Sequence, residues 1–171
     1  MKHVITILDI KHLSKDGEIL WEAKDLFNTL HVVGEEYILK AVFTGGVTNT
    51  YIPASYYFGL DNRATIAPAD TMTTVSLNGE PSTSGYARAS ISSTGQFAVS
   101  ISGSGNNVAT SPVVSFTASG GSFGPVRNMF LTDQTDNSGY LIASVPLTSQ
   151  LTVSAGETIA ARMGLVLKDC P

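Results

Sequence analysis

The chain has 171 residues, enough to bury one hydrophobic core and cramped for two. Hydrophobic residues make up 43% and charged residues only 14%, against roughly 25% charged in an ordinary soluble domain, so Ser, Thr, Asn, Gly and backbone must cover the surface. Ten basic against fourteen acidic residues leave a net charge of -4 with no Lys/Arg stripe, which disfavours nucleic acid; the one cysteine, Cys170, excludes an intramolecular disulfide; and no apolar run approaches a membrane span.

At the N-terminus, MKHVITILDI is broken by Asp9 and has no cleavage signature, so it is not a secretory signal and the chain is expected to fold in a cytoplasm. Residues 2–12 instead alternate loosely and are rich in β-branched types; SKDG is a turn signal, and EILWEA continues as a second short strand. Residues 1–22 are therefore read as a strand or hairpin arm, with 23–171 as the main domain. The segment KDLFNTL, 24–30, is too short and poorly capped for a stable helix and is read as a crossing loop anchored by Leu26, Phe27 and Leu30.

From Gly34, the run GEEYILKAVF places Tyr37, Leu39 and Ala41 on one side and Glu36, Ile38 and Lys40 on the other, which predicts a strand ending at Gly45-Gly46. Further strands are expected at YYFGL, YARASI, QFAVSI, VVSFTA, VRNMFL, YLIASV and from about Glu157 to Leu167. SSTG, 92–95, lies between two of these runs and reads as a hairpin turn, while SGSGNN, ASGGSFGP and DQTDNSG supply Gly and Asn where positive φ is expected. The stretch 61–85 is the longest irregular segment, with room for one helical turn after Pro68. About ten short strands joined by turns, without helical crossovers, specify an all-β antiparallel two-sheet sandwich.

No catalytic constellation emerges. His3, His12 and His31 have no metal-ligand spacing, and no cofactor or metal is expected. His31, in NTLHVVGEE, is better placed to tie a loop to a strand than to catalyse. Glu35 and Glu36 would point to opposite faces of a strand and could not converge as a glycosidase pair. Asp61-Asn62-Arg63 looks like a strand end closed by an Asx turn with Arg63 paired to Asp61. Asp133, Asp136 and Asn137 lack the remainder of a calcium loop and read as Asx turns. No serine lies in G-x-S-x-G. The chain is therefore expected to be non-enzymatic.

The aromatic residues are the remaining chemical signal. Trp21, Leu26 and Phe27 after the hairpin, with Tyr56 and Tyr57, are the candidate partner-interface residues, because aromatic side chains supply much of the binding energy at protein contacts and an early strand can extend a neighbour's sheet.

The segments LFNTLHVVGEEYILKAVFTGG, IPASYYFGLDNRATIAPADTM, LNGEPSTSGYARASISSTGQFAVS, VVSFTASGGSFGPVRNMFLT and GYLIASVPLTSQLTVSAGETIAARMGLVL together resemble small β-rich virion proteins of tailed bacteriophages. YYFGLDNR, GEPSTSGYAR and GPVRNMFLT carry the resemblance most specifically, and it runs from about Trp21 to Leu167. It implies a non-catalytic structural protein that binds major capsid or tail proteins of the same virion and forms a homo-oligomer, a trimer or ring. Capsid decoration, as a cement protein, is the first expectation; a tail or baseplate carbohydrate-binding module contacting the host surface is the alternative. The ending LTVSAGETIAARMGLVL is similar to the last strand of viral jelly-roll domains, which implies a jelly-roll-like sandwich.

Overall fold

The computed structural model describes residues 2–27, 29–43, 52–101 and 107–168. In chain order these form β1 (Lys2–Leu13), β2 (Ile19–Phe27), β3 (Thr29–Leu30), α1 (Val32–Phe43), β4 (Ser55–Asp61), α2 (Met72–Asn78), β5 (Ala89–Ser92) and β6 (Ala98–Ile101). There follow β7 (Asn107–Thr110), β8 (Val114–Thr117), β9 (Phe123–Thr132), β10 (Leu141–Val153) and β11 (Thr158–Lys168). The Phe27 side chain, the Gly45-Gly46 break, most of the SGSGNN turn and Cys170 lie outside the described residues.

The strands form an antiparallel two-sheet sandwich. Sheet A runs β2-β1-β11-β7-β6, with β8 also pairing with β11, and sheet B runs β3-β10-β9-β4-β5. The first and last strands are neighbours from Lys2↔Lys168 to Leu13↔Thr158, and β3 pairs with β10 in the opposite sheet. That nested pairing of the chain ends is jelly-roll-like. The hairpin read as an arm is hydrogen-bonded into sheet A, where β1 lies between β2 and β11. Its turn follows the sequence: Ser14 Oγ accepts from the Asp16 and Glu18 amides at 3.2 and 3.1 Å.

Side chains from both sheets meet in one core, with Ile10 and Ile159 from sheet A against Phe58, Ile142 and Val145 from sheet B. A smaller cluster of Ile66, Met72, Val75, Phe130 and Leu141 packs α2 and its approach loop onto sheet B. Burial from Asn128 to Asp133 is consequently unbroken, because alternate residues of β9 are covered from both sides. Gly59 on the adjacent strand leaves room for this: a Cβ there would lie 2.0 Å from Cζ of Phe130.

The strand expected at 34–43 is a helix. Gly34, Tyr37, Ile38 and Ala41 recur at i, i+3, i+4 and i+7; the first two are buried and the others half-buried, while Glu35, Glu36, Leu39 and Val42 are exposed. Glu35 in the first turn and Lys40 in the last oppose the helix dipole, and Lys40 pairs with Glu36 at 2.6 Å. Gly34 seats the helix on β10, where an added Cβ would lie 2.1 Å from the Ile142 carbonyl oxygen. Three smaller differences accompany it: SSTG closes no hairpin, because β5 pairs with β4 in sheet B and β6 with β7 in sheet A. KDLFNTL is not a loop but extends β2 through Phe27 and then forms β3, and 72–78 is a full short helix.

Candidate functional site: an apolar cleft and its open strand edge

Two surface clefts have side chains held in defined positions. The first is apolar, about 220 Å³, and lies between the sheets where α1 crosses them. Tyr37 and Ile38 of α1, Tyr56 of β4, Phe97, Leu131 and Met163 form most of its wall. Tyr37 donates a 3.0 Å hydrogen bond to the Tyr56 hydroxyl, and the rings meet edge to face with centroids 6.4 Å apart. Phe97 meets Tyr56 in the same way at 6.0 Å, and Tyr140 lies 5.4 Å from Tyr37. Burial raises the Tyr37 pKa well above its ordinary value, so this hydroxyl stays protonated as a donor.

Beside this cleft runs an uncovered apolar strand. In β6, Val99 is 75% and Ile101 72% exposed, and Val99 stands opposite Ala109, which also lines the cleft. Leu39, Val42 and Phe43 of α1 are exposed as well, at 57%, 66% and 78%. Large apolar side chains left in water at this density are a feature of surfaces that meet other proteins.

The second cleft, about 430 Å³, is more polar than the first and lies between residues 80–88 and the 134–138 loop. Arg88 grips Glu80 with two parallel bonds, 2.8 Å from Nε and 2.7 Å from Nη2, and its Nη1 donates to the carbonyls of Gln134 and Asp136. Tyr86 donates to Glu80 at 2.8 Å and accepts from the Leu60 amide at 2.8 Å, while its ring stacks on Phe116. The 134–138 loop is internally braced as its Asx residues suggest: Ser138 N donates to Asp136 Oδ1 at 2.8 Å, and Tyr140 N to Asp133 Oδ1 at 2.7 Å. Pro81, Ser82, Thr135 and Asn137 complete the wall.

The family described as Podophage GP4 fiber I protein gp80 matches residues 30–166, which is most of the sequence and includes both clefts. The chain belongs to this gp80 family. It is thus a virion protein of a tailed phage, as the resemblance implied. The gp80 match begins at Leu30 and leaves β1 and β2 outside. No curated protein matches the chain.

Of the candidate interface residues whose side chains are described, this gp80-family fold brings only Tyr56 into the apolar cleft. Trp21 and Leu26 lie on β2 at an edge of sheet A, partly buried against the core, and Tyr57 is half-buried on the opposite face of β4 from Tyr56. Glu35 and Glu36 are both exposed on α1, so they do not form an acid/base pair in a cleft. Among the described residues, no three His, Cys, Asp or Glu side chains gather as a metal site. The sequence reading did not single out Ile38, Val99 or Ile101. The signal was present in QFAVSI, where Phe97, Val99 and Ile101 alternate with Ala98 and Ser100, but alternation alone cannot say whether the apolar face is covered.

Proposed function

We propose that the protein is a non-enzymatic, tail-associated fibre component that binds other virion subunits, further copies of itself included, in preference to the capsid-decoration role expected from the sequence. The observation that carries this reading is the match over residues 30–166 to a family named for a fibre protein. The physical support is the apolar cleft with its exposed strand and helix face, which suits shape-complementary, low-charge contacts between proteins better than it suits chemistry on a small substrate. Antibody labelling of purified particles, with copies counted per particle, tests it. Label on the tail with few copies is expected; label over the head with copies in the hundreds would return the protein to the decoration role.

The more polar cleft favours a second activity, contact with host-surface carbohydrate. Ser82, Thr135 and Asn137 line it with exposed polar groups while Glu80, Arg88 and Tyr86 hold one another in place, and a few fixed polar groups in a cleft are what orients a sugar. Binding of the isolated protein to host glycans, lost on Thr135→Trp at the cleft wall, is the expected result. Binding unchanged by that substitution would remove the cleft from consideration.

A further inference from the structure

Among the described residues the two strand orders end on β2 and β6 in sheet A and on β3 and β5 in sheet B, with β8 a further short edge beside β11, and the four ends are treated differently. On sheet A, β2 carries the exposed charges Glu22, Lys24 and Asp25, and Asp25 takes a left-handed backbone with φ 52. On sheet B, β3 has only two residues, and β5 turns at once into a loop where Ser93 Oγ bonds the carbonyls of Pro53 and Ala54. Charges, backbone irregularity and shortness are the devices that stop edges from pairing with other chains. The remaining end, β6, is as short as β5 but has neither a charge nor a left-handed residue. Its sequence AVSI has no charge and no proline, all four residues are exposed, and among the described residues only β7 pairs with it.

We infer that β6 is a self-association edge on which a second copy of this chain adds its own β6, antiparallel about a two-fold axis through Ser100. The register is set by the sequence. A two-fold axis normal to the sheet requires equivalent residues to face one another across it, so Ser100 meets the partner's Ser100, and Val99 and Ile101 meet the partner's Ile101 and Val99. Directly opposite residues share a face, so this register puts two β-branched apolar pairs on one side, the side of Ala109 and the apolar cleft. A shift of one residue would set Val99 opposite Ser100 and break both pairs. Absence of charge on β6 matters equally, because each copy carries a net charge of -4 and a charged edge would add repulsion at the closest approach. The pairing rests on the proposed self-association and not on where in the particle the protein lies.

The test uses the full chain with Cys170→Ser, so that an introduced cysteine is the sole thiol. Ser100→Cys should form a covalent dimer rapidly under mild oxidation, since opposed Cα atoms in an antiparallel pair lie within disulfide reach, about 4.5–5.5 Å apart. Val99→Cys, whose two copies are offset, should cross-link at least tenfold more slowly. Sedimentation should give a dimer for the parent chain and a monomer for Val99→Lys, with circular dichroism verifying that the variant is folded. A folded parent that remains monomeric, a Val99→Lys variant that still dimerises, or equal cross-linking at both positions would overturn the inference. Particle labelling reads the tail placement separately: a head label with Ser100→Cys cross-linked would sink the placement and leave the pairing intact.

Discussion

The Ser144 hydroxyl lies 2.8 Å from Nε2 of His31, and through that imidazole β10 is joined to the loop before α2. The other ring nitrogen, Nδ1, faces the Pro68 carbonyl at 3.3 Å, and a carbonyl can only accept, so Nδ1 carries the proton and Nε2 accepts from Ser144. His31 is fully buried, and the Val32 amide reaches the same Pro68 carbonyl at 3.2 Å. One residue thus fixes where α1 begins.

Burial lowers the His31 pKa below its ordinary 6.5, outweighing the Pro68 hydrogen bond and the nearby Asp70 charge. Above pH 6.5 the ring is neutral in both folded and unfolded chains, and the stability is fully present. As pH falls below that value the unfolded chain gains a proton that the folded one resists, so stability declines until the lowered folded pKa is reached. Replacing His31 with Gln should cost about 1–3 kcal/mol at neutral pH and remove this part of the decline. Denaturant midpoints at about pH 7.5 and about pH 5.5 read both effects; an unchanged pH slope in the variant would show that His31 does not control it.

Asp61 is fully buried, and burial raises its pKa above 3.8 despite Arg63, which contacts it at 3.1 Å through Nε. Asn128 donates to the same carboxylate at 3.2 Å and to the Arg63 carbonyl at 2.7 Å. For a raised carboxylate the sign is opposite to His31: the folded chain holds the proton longer, so stability rises as pH falls through the folded pKa toward 3.8. Arg63→Ala leaves the buried charge without its cation and should cost about 3–5 kcal/mol at neutral pH. The loss should shrink near pH 4, where Asp61 is increasingly protonated. A loss independent of pH would mean that Arg63 acts through packing alone.

Gly59 and Phe130 are coupled by shape. Gly59→Ala forces a methyl into the Phe130 ring, and overpacking of this kind costs about 1–3 kcal/mol. Adding Phe130→Leu should make the double variant more stable than the sum of the single losses predicts, by roughly 0.5–3 kcal/mol in a double-mutant cycle. Gly34→Ala should have no comparable side-chain rescue, because the obstacle is the Ile142 backbone.

Arg88 is the tie between Glu80 and the 134–138 loop, and its guanidinium also lies 5.6 Å from the centre of the Phe130 ring. Arg88→Lys keeps the charge but cannot reproduce bonds in that many directions from one planar group. Amide hydrogen exchange in residues 134–138 should therefore accelerate by an order of magnitude or more in Arg88→Lys, while β9 and β10 remain protected. Unchanged loop exchange would show that the Asx turns at Asp133 and Asp136 are sufficient by themselves.

Much of this architecture is legible without coordinates. The SKDG turn, the Asp61–Arg63 pairing and the Asx loop at 133–139 depend on residues close together in the chain, and the structure has each in the expected form. The anchoring role of His31 was also readable, although its partners were not. α1 was misread because GEEYILKAVF satisfies a loose two-residue alternation and the helical set Gly34, Tyr37, Ile38 and Ala41 equally well. A helix of this length is marginal alone, and packing against β10 makes the choice.

Turn chemistry and apolar alternation act over a few residues, and they suffice to specify a turn-punctuated β sandwich with little charge. Where its surface stays open depends on how distant elements pack. Tyr37 meets Tyr56 and Tyr140 from distant elements, and β2 and β6 become the two ends of sheet A, which leaves the charges of the one and the apolar side chains of the other open. Exposure is a property of what lies opposite a residue in space, and neighbours along the chain do not specify it.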